Sequence, residues 1–178
     1  LAAGTNTIVS QKWTQSGALR IAATGTYLSQ SITGQSAVLG RFSPKNFTTT
    51  LTTAGCGVFT YSGQPMTTVT VQAMDAQPTQ AVTPNYKGSF ARAVTLTDAS
   101  GSAAGTLSAN TMAATAFASG VATASPVYTF TNKATAPVTL SLRASDGEVS
   151  SNGFAEASAL IRSGRVRLSN AYGSERLT

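Results

Sequence analysis

Apolar and polar residues alternate with a period of two along much of the chain, in short runs separated by turn residues. The clearest runs span residues 67–74 and 138–143. In the second run, Val138, Leu140 and Leu142 share one face, and hydroxyl or charged residues occupy the other. This alternation is typical of half-buried β-strands. Clusters of Gly, Asn, Pro and Ser between the runs indicate turns.

The same pattern predicts several shorter strands, at residues 18–22, 47–53, 58–61, 90–96 and 127–131. Residues 34–40 are rich in Gly, Ser and Gln and are interpreted as a connector. Residues 110–118 are Ala-rich, so that a short helix, a weak strand and a loop all remain open. Residues 155–161 have a helical composition, but the Ser-Gly pair and the alternation that follow them favour a strand.

The last segment, residues 164–175, is the one on which the interpretation is centred. It begins as a strand in which Arg165 and Arg167 face away from two apolar residues, and it breaks at turn residues on either side of Tyr172. A flat strand face with two cations and a nearby aromatic ring is a candidate surface for an anionic glycan. Arg165, Arg167 and Tyr172 are therefore the predicted ligand-binding residues.

Short strands with turn signals between them indicate an all-β fold, because nothing repeats the strand–helix–strand rhythm of a parallel sheet. We predict an immunoglobulin-like antiparallel β-sandwich over residues 41–178. Residues 1–40 are predicted to be the end of a preceding β module or an N-terminal arm.

Charged residues make up only 10% of the 178-residue chain, against about 25% in a typical domain. Thr, Ser, Ala and Gly take their place, and a hydroxyl-rich surface of this kind favours a secreted or wall-associated protein. The net charge is +6, but the basic residues are scattered from Lys12 to Arg176 without a run. This distribution argues against a nucleic acid partner.

The residue types that carry chemistry are scarce. The chain has no histidine, so it lacks an imidazole base, and its six carboxylates occur in predicted turns or beside polar residues. The segment Asp146-Gly147-Glu148 with Asn152 offers oxygen ligands, but too few for a dedicated calcium site. The single cysteine, Cys56, is either a buried thiol or half of a bridge to a residue outside this sequence. We expect no catalysis, no metal and no cofactor.

Two targeting features are also not expected. No apolar run approaches the length of a membrane span. The first four residues have neither a basic region nor a long apolar region, so no signal peptide is predicted in the sequence as given.

Six stretches resemble, in order, the C-terminal domain of the MSHA pilus biogenesis proteins of the MshQ type, which are large Gram-negative surface proteins. The most specific match is Arg162-Ser163-Gly164-Arg165-Val166-Arg167-Leu168-Ser169-Asn170-Ala171-Tyr172-Gly173-Ser174-Glu175. The other matches lie at 13–28, 40–47, 59–65, 85–90 and 142–146. The resemblance implies export, a β-rich fold and association with a type IV pilus or the cell surface.

The expected function is therefore structural or adhesive, in a bacterial cell-surface or type IV pilus-associated protein, with other pilus or surface subunits as partners. One alternative is a self-polymerising subunit of an extracellular fibre, in which a terminal strand adds to the sheet edge of a neighbouring copy. A further alternative is a carbohydrate-binding module.

Overall fold

The computed structural model describes residues 7–52 and 56–164, and these residues form an all-β protein. The prediction of an antiparallel β-sandwich is confirmed. The described residues contain fourteen strands and two 3₁₀ turns, the latter at Gly88–Phe90 and Ala114–Ala116. The strands are β1 Gly17–Leu19, β2 Ala22–Tyr27, β3 Gln30–Gln35, β4 Leu39–Phe42, β5 Asn46–Leu51, β6 Thr60–Tyr61, β7 Val69–Met74, β8 Val94–Asp98, β9 Gly105–Ser108, β10 Thr111–Met112, β11 Val121–Ala124, β12 Val127–Phe130, β13 Val138–Ser145 and β14 Ala157–Arg162.

Two sheets face each other in the sandwich. The larger sheet has the order β10-β8-β13-β14-β6, and the smaller has the order β11-β7-β5. In chain order, β5, β7 and β11 correspond to strands A, B and E of an immunoglobulin domain, and β8, β13 and β14 to strands C, F and G. All these pairs are antiparallel except β6 with β14, which is parallel.

The core lies between the sheets, where the inward positions of the alternating strands meet. Val69, Val71 and Ala73 of β7 are fully buried against Leu140 and Leu142 of β13 and their neighbours in the core. Each large apolar side chain removed from water in this way contributes about 1.5–3 kcal/mol. The inward faces that the sequence alternation predicts for both strands are therefore confirmed.

Three aromatic rings pack together within the core. Tyr86 lies edge-on to both Phe47 and Phe117, with centroid distances of 5.6 and 4.9 Å. Tyr86 and Phe117 come from the segments that precede β8 and β11. The rings therefore fasten irregular segments to the first strand of the smaller sheet.

The edge of β5 that does not pair with β7 is covered by the segment between β13 and β14. The backbone N–H of Phe47 donates to the Ser150 carbonyl at 3.2 Å, and that of Thr49 to the Ala155 carbonyl at 2.9 Å. These bonds connect the two sheets and remove one open edge of the sandwich, which would otherwise invite pairing with another chain.

A long two-stranded hairpin precedes the sandwich. β1 pairs with β4 near its base, and β2 pairs with β3 towards its tip, both antiparallel. Every residue of β2 and β3 is exposed to solvent. The hairpin crosses the predicted boundary at residue 40, and the division into residues 1–40 and 41–178 remains a prediction.

Several local predictions were wrong. Residues 34–40 do not form a free connector, because residues 34–35 belong to β3, which pairs with β2, and residues 39–40 belong to β4, which pairs with β1. Phe90 does not share a strand face with Val94, since it ends a 3₁₀ turn and packs its ring against Gly17. Val58 lies outside any strand and is 81% exposed, since the strand predicted at residues 58–61 is reduced to β6.

The ambiguous segments are also resolved. Residues 110–118 contain β10 and the second 3₁₀ turn, and no α-helix. Residues 157–162 form β14, as the flanking signals favoured. Among the described residues, no helix is long and apolar enough to cross a membrane.

Candidate functional site

The three residues predicted to bind a ligand, Arg165, Arg167 and Tyr172, lie outside the described residues. The structure does not test them, and they remain a prediction.

The turn that begins at Asp146 was considered above as a calcium loop and judged to have too few ligands. Its Asp146 carboxylate stabilises the backbone of the turn instead. Asp146 Oδ1 accepts hydrogen bonds from the backbone N–H groups of Glu148, at 2.9 Å, and Val149, at 2.7 Å. Asp146 Oδ2 accepts from the hydroxyl of Tyr86 at 2.8 Å. Burial, together with this bond to a carboxylate, raises the pKa of Tyr86 well above its usual value. Within the described part of the chain, no group of three His, Cys, Asp or Glu residues is placed to hold a metal.

Glu148 connects the base of the hairpin to the same turn. Its carboxylate accepts from the Ser43 hydroxyl at 2.6 Å and pairs with Arg41 at 2.9 Å and Arg92 at 3.1 Å. The Ser43 hydrogen bond, opposed by partial desolvation and aided by the two guanidinium groups, holds the pKa of Glu148 below its usual value. Glu148 thus positions the hairpin on the sandwich.

Glu156 has a comparable role beside β13. Its two oxygens accept from Arg143, with the shorter distance 2.7 Å, and from the hydroxyls of Ser141 at 3.0 Å and Ser151 at 2.9 Å. Burial on its own would raise the pKa of Glu156, but these hydrogen bonds outweigh it and lower the pKa. A carboxylate stabilised as the anion by three partners is a structural group and a poor proton donor.

A half-open cleft of about 360 Å³ lies between the N-terminal segment and the sandwich. The N-terminal segment is anchored there by the Ser16 and Thr83 hydroxyls, 3.2 Å apart, and by the Asn85 N–H, which donates to Gln15 Oε1 at 3.3 Å. The cleft is lined by Trp13, Thr14, Gln15, Phe42, Ser43, Pro44, Lys45, Asp75, Ala76 and Thr83.

Aromatic and charged groups meet in this cleft. The rings of Trp13 and Phe42 lie 6.4 Å apart, tilted by 45°, and both are partly exposed. Asp75 begins the loop that follows β7, and only 7% of its surface is exposed. Its Oδ1 accepts from the N–H groups of Gln77 and Ala81, both at 3.1 Å, which fixes the carboxylate in place.

The hairpin is the second feature of the surface. Ile21, Tyr27 and Ile32 lie on one of its faces, each more than half exposed, while Thr24 and Thr33 pair on the opposite face. At the tip, Leu28 and Ser29 form a two-residue turn with φ values of 50° and 62°. Such a surface suits contact with another molecule better than it suits chemistry.

The sequence model of the third domain of the DUF6701 proteins matches residues 15–159, which include the hairpin and nearly all of the described sandwich. This chain belongs to that family. No curated protein and no solved structure matches the DUF6701 chain. Phe42, Lys45 and Asp75 of the cleft lie within the matched range, whereas Trp13 precedes it.

Sequence reasoning did not find the cleft of the DUF6701 domain. Trp13 precedes the domain predicted at residues 41–178, and Asp75 lies 62 positions further along the chain. The available signal was the single tryptophan in an otherwise polar segment. Its partners come from β4 and from the loop after β7, and only the fold brings these together.

Proposed function

We propose that the DUF6701 domain is a structural and adhesive module of a bacterial cell-surface protein associated with type IV pili. It acts outside the cell, without catalysis or a cofactor, and its partners are other pilus or surface subunits. The link to the pilus rests on the resemblance of six sequence stretches to the MshQ-type proteins.

The hairpin is the observation that carries this proposal. The sandwich supports the hairpin, and Glu148 fixes the base of the hairpin to the sandwich. The strands of the hairpin present apolar side chains to solvent. The carboxylates of the turns and strands are occupied in holding the scaffold. A rigid body with a projecting, partly apolar element is suited to holding a partner.

The test is made in the source bacterium with the full-length protein. Residues 22–35 are replaced by a short turn, which removes β2 and β3 and leaves the β1–β4 base. The strain is compared with one that carries Thr50→Val, an exposed change on the sandwich. We expect surface labelling in both strains, and reduced adhesion or fewer pili only in the hairpin deletion. Retention inside the cell, or unchanged adhesion and pili, would contradict the proposal.

Self-polymerisation remains a second candidate, because the tip of the hairpin has open edges. A two-residue turn makes Tyr27 and Gln30 a hydrogen-bonded pair, and hydrogen-bonded pairs recur at every second position along an antiparallel hairpin. The Ser36 N–H, which donates to the Ile21 carbonyl at 2.8 Å, falls in this series. Thr24 and Thr33 are therefore a non-hydrogen-bonded pair with N–H groups directed outward. These groups are able to accept a strand from a second copy.

Light scattering across a concentration series tests this candidate. If copies associate through these edges, the mass rises with concentration in the wild-type chain and stays monomeric in Thr24→Pro with Thr33→Pro, which removes only outward donors. A monomer at every concentration, or association that the double variant retains, would exclude edge pairing at the hairpin.

A further inference from the structure

We infer that the cleft beside Trp13 is a binding site for a neutral sugar residue. This inference deepens the adhesive role proposed above and rests on it, because it names the class of ligand that such a module would hold. The described residues that line this cleft do not include the predicted ligand-binding residues Arg165, Arg167 and Tyr172.

The aromatic wall provides the apolar half of the site. Trp13 is 45% exposed and Phe42 also borders the cleft, so that the two tilted rings present apolar surface to whatever enters it. A pyranose has one face made largely of C–H groups, and such a face packs on an aromatic ring while its hydroxyls remain at the rim.

Asp75 provides a fixed acceptor. Only 7% of the surface of this residue is exposed, and its Oδ1 accepts hydrogen bonds from two backbone N–H groups. Asp75 also lines the cleft beside Trp13. A held carboxylate oxygen beside a cleft is suited to accept a hydrogen bond from a ligand hydroxyl.

The charge of Lys45 is the reason to expect an uncharged ligand. Lys45 lines the same cleft and is exposed, and its ammonium group has no ion-pair partner among the residues that the structure describes. Asp75 would attract a cationic ligand, but Lys45 would repel it. Lys45 would attract an anionic ligand, but Asp75 would repel it. A neutral ligand that both donates and accepts, as a sugar does, satisfies both groups.

The size of the cleft agrees with a small ligand. Its volume of about 360 Å³ is near the lower end of the roughly 300–1,000 Å³ found for small-molecule sites. The opening to solvent leaves room for the rest of a glycan chain to continue outward.

Trp13 is the only tryptophan of the chain, so its fluorescence reports on this cleft alone. The purified 178-residue chain is titrated with the methyl glycosides of glucose, galactose and N-acetylglucosamine, with excitation where tyrosine does not absorb. We expect at least one glycoside to shift the emission saturably in the millimolar range. The amide signals of Lys45, Asp75 and Thr83 should move in parallel in NMR spectra.

Asp75→Asn is the diagnostic variant, since an amide oxygen keeps the loop acceptor but lacks the charge. We expect affinity for the glycoside to fall about tenfold, the effect of losing one charge-assisted hydrogen bond. Asp98→Asn is the matched control, because Asp98 Oδ1 also accepts from two backbone N–H groups, those of Ser100 and Ser141, but outside the cleft. Trp13→Ala, on the exposed segment, should abolish the NMR shifts without lowering the melting temperature.

Three results would overturn the sugar site: no response to any glycoside, equal affinity in Asp75→Asn and Asp98→Asn, or a response to N-acetyl-lysine amide with none to the sugars. Because the titration uses the purified chain, a negative result would exclude only the sugar site. The surface location and the adhesive role are tested separately by the hairpin deletion in cells.

Discussion

Gly120 precedes β11 in a left-handed backbone conformation, with a φ of +81°. A Cβ at this position would collide with the Thr83 carbonyl oxygen and the Val82 side chain. Gly153 has the same φ of +81°, but nothing lies within 4 Å of the place that a Cβ would take. Comparing an alanine substitution at each glycine therefore separates the cost of conformational strain from the cost of steric crowding.

We expect Gly153→Ala to lower the free energy of unfolding by about 1 kcal/mol, the usual cost of a left-handed residue with a side chain. Gly120→Ala should cost about 3 kcal/mol or more, because the collision is added to the strain. Denaturant unfolding of both variants measures the difference. Equal losses would show that the backbone near Thr83 yields to the methyl group.

Thr49 joins the two sheets through its side chain. Its hydroxyl donates to the Leu142 carbonyl at 2.8 Å and accepts from the Ala157 N–H at 2.7 Å, and the residue is buried. In the strand predicted at residues 47–53, the two-residue period places Thr49 on the same face as Phe47 and Leu51, and this face is the inner one. The period did not predict the hydrogen bonds, because both partners lie about a hundred positions away in the chain.

Thr49→Val keeps the shape of this side chain and removes both bonds. We expect a loss of about 2 kcal/mol in the free energy of unfolding, since the Ala157 N–H is left buried without its partner. Thr50→Val, on the exposed face of the same strand, should change stability by less than about 0.5 kcal/mol. Chemical denaturation of the two variants is the measurement, and similar midpoints would refute a bridging role for Thr49.

At the scale of single elements, the hairpin turn is poorly matched to its sequence. A two-residue turn with positive φ at both positions favours Asn-Gly, whereas this chain has Leu28, which is 80% exposed, followed by Ser29. This mismatch explains why the turn was not predicted. Pairing of β2 with β3 overrides the local preference of the two turn residues.

Leu28→Asn combined with Ser29→Gly should stabilise the hairpin by about 1 kcal/mol or more, because the left-handed conformation then costs less. Hydrogen exchange of the inward amides of Tyr27 and Ile32 should slow by several-fold. Leu28→Ala is the control, since it removes the apolar side chain and keeps the strain. Faster or unchanged exchange in the double variant would show that the turn is not what limits the hairpin.

Two other elements show why local patterns failed. Residues 34–40 have a loop-like composition, yet residues 34–35 belong to β3 and residues 39–40 to β4, because β2 and β1 supply their pairing partners. Phe90 has the spacing of a strand residue, yet its ring packs on Gly17, which belongs to β1. In both cases, the deciding neighbour lies in another segment.

For the whole molecule, the distribution of ionisable groups predicts a simple dependence of stability on pH. The chain has no histidine, so few groups titrate between about pH 5.5 and 7.5. The pKa values of Glu148 and Glu156 are lowered in the folded state. The unfolded chain therefore binds more protons below about pH 5, and stability falls as the pH falls through the folded pKa values.

We expect a plateau in the free energy of unfolding near neutral pH and a decline below about pH 5. Glu156→Gln should be less stable on the plateau, because Arg143 loses its ion pair, and its decline towards acid should be shallower. Urea denaturation at a series of pH values measures both. An equally steep decline in the variant would show that Glu156 does not contribute to acid lability.

The sequence by itself determined the fold class, because two-residue alternation makes each strand bury one face and forces the strands into a two-layer sandwich. It also indicated the scarcity of groups for catalysis. The tertiary structure alone decided where Trp13, Lys45 and Asp75 meet, which carboxylates hold turns, and that β2 and β3 project from the body. These features depend on contacts between distant segments, and a periodic pattern specifies the face on which a residue lies but not its partner across space.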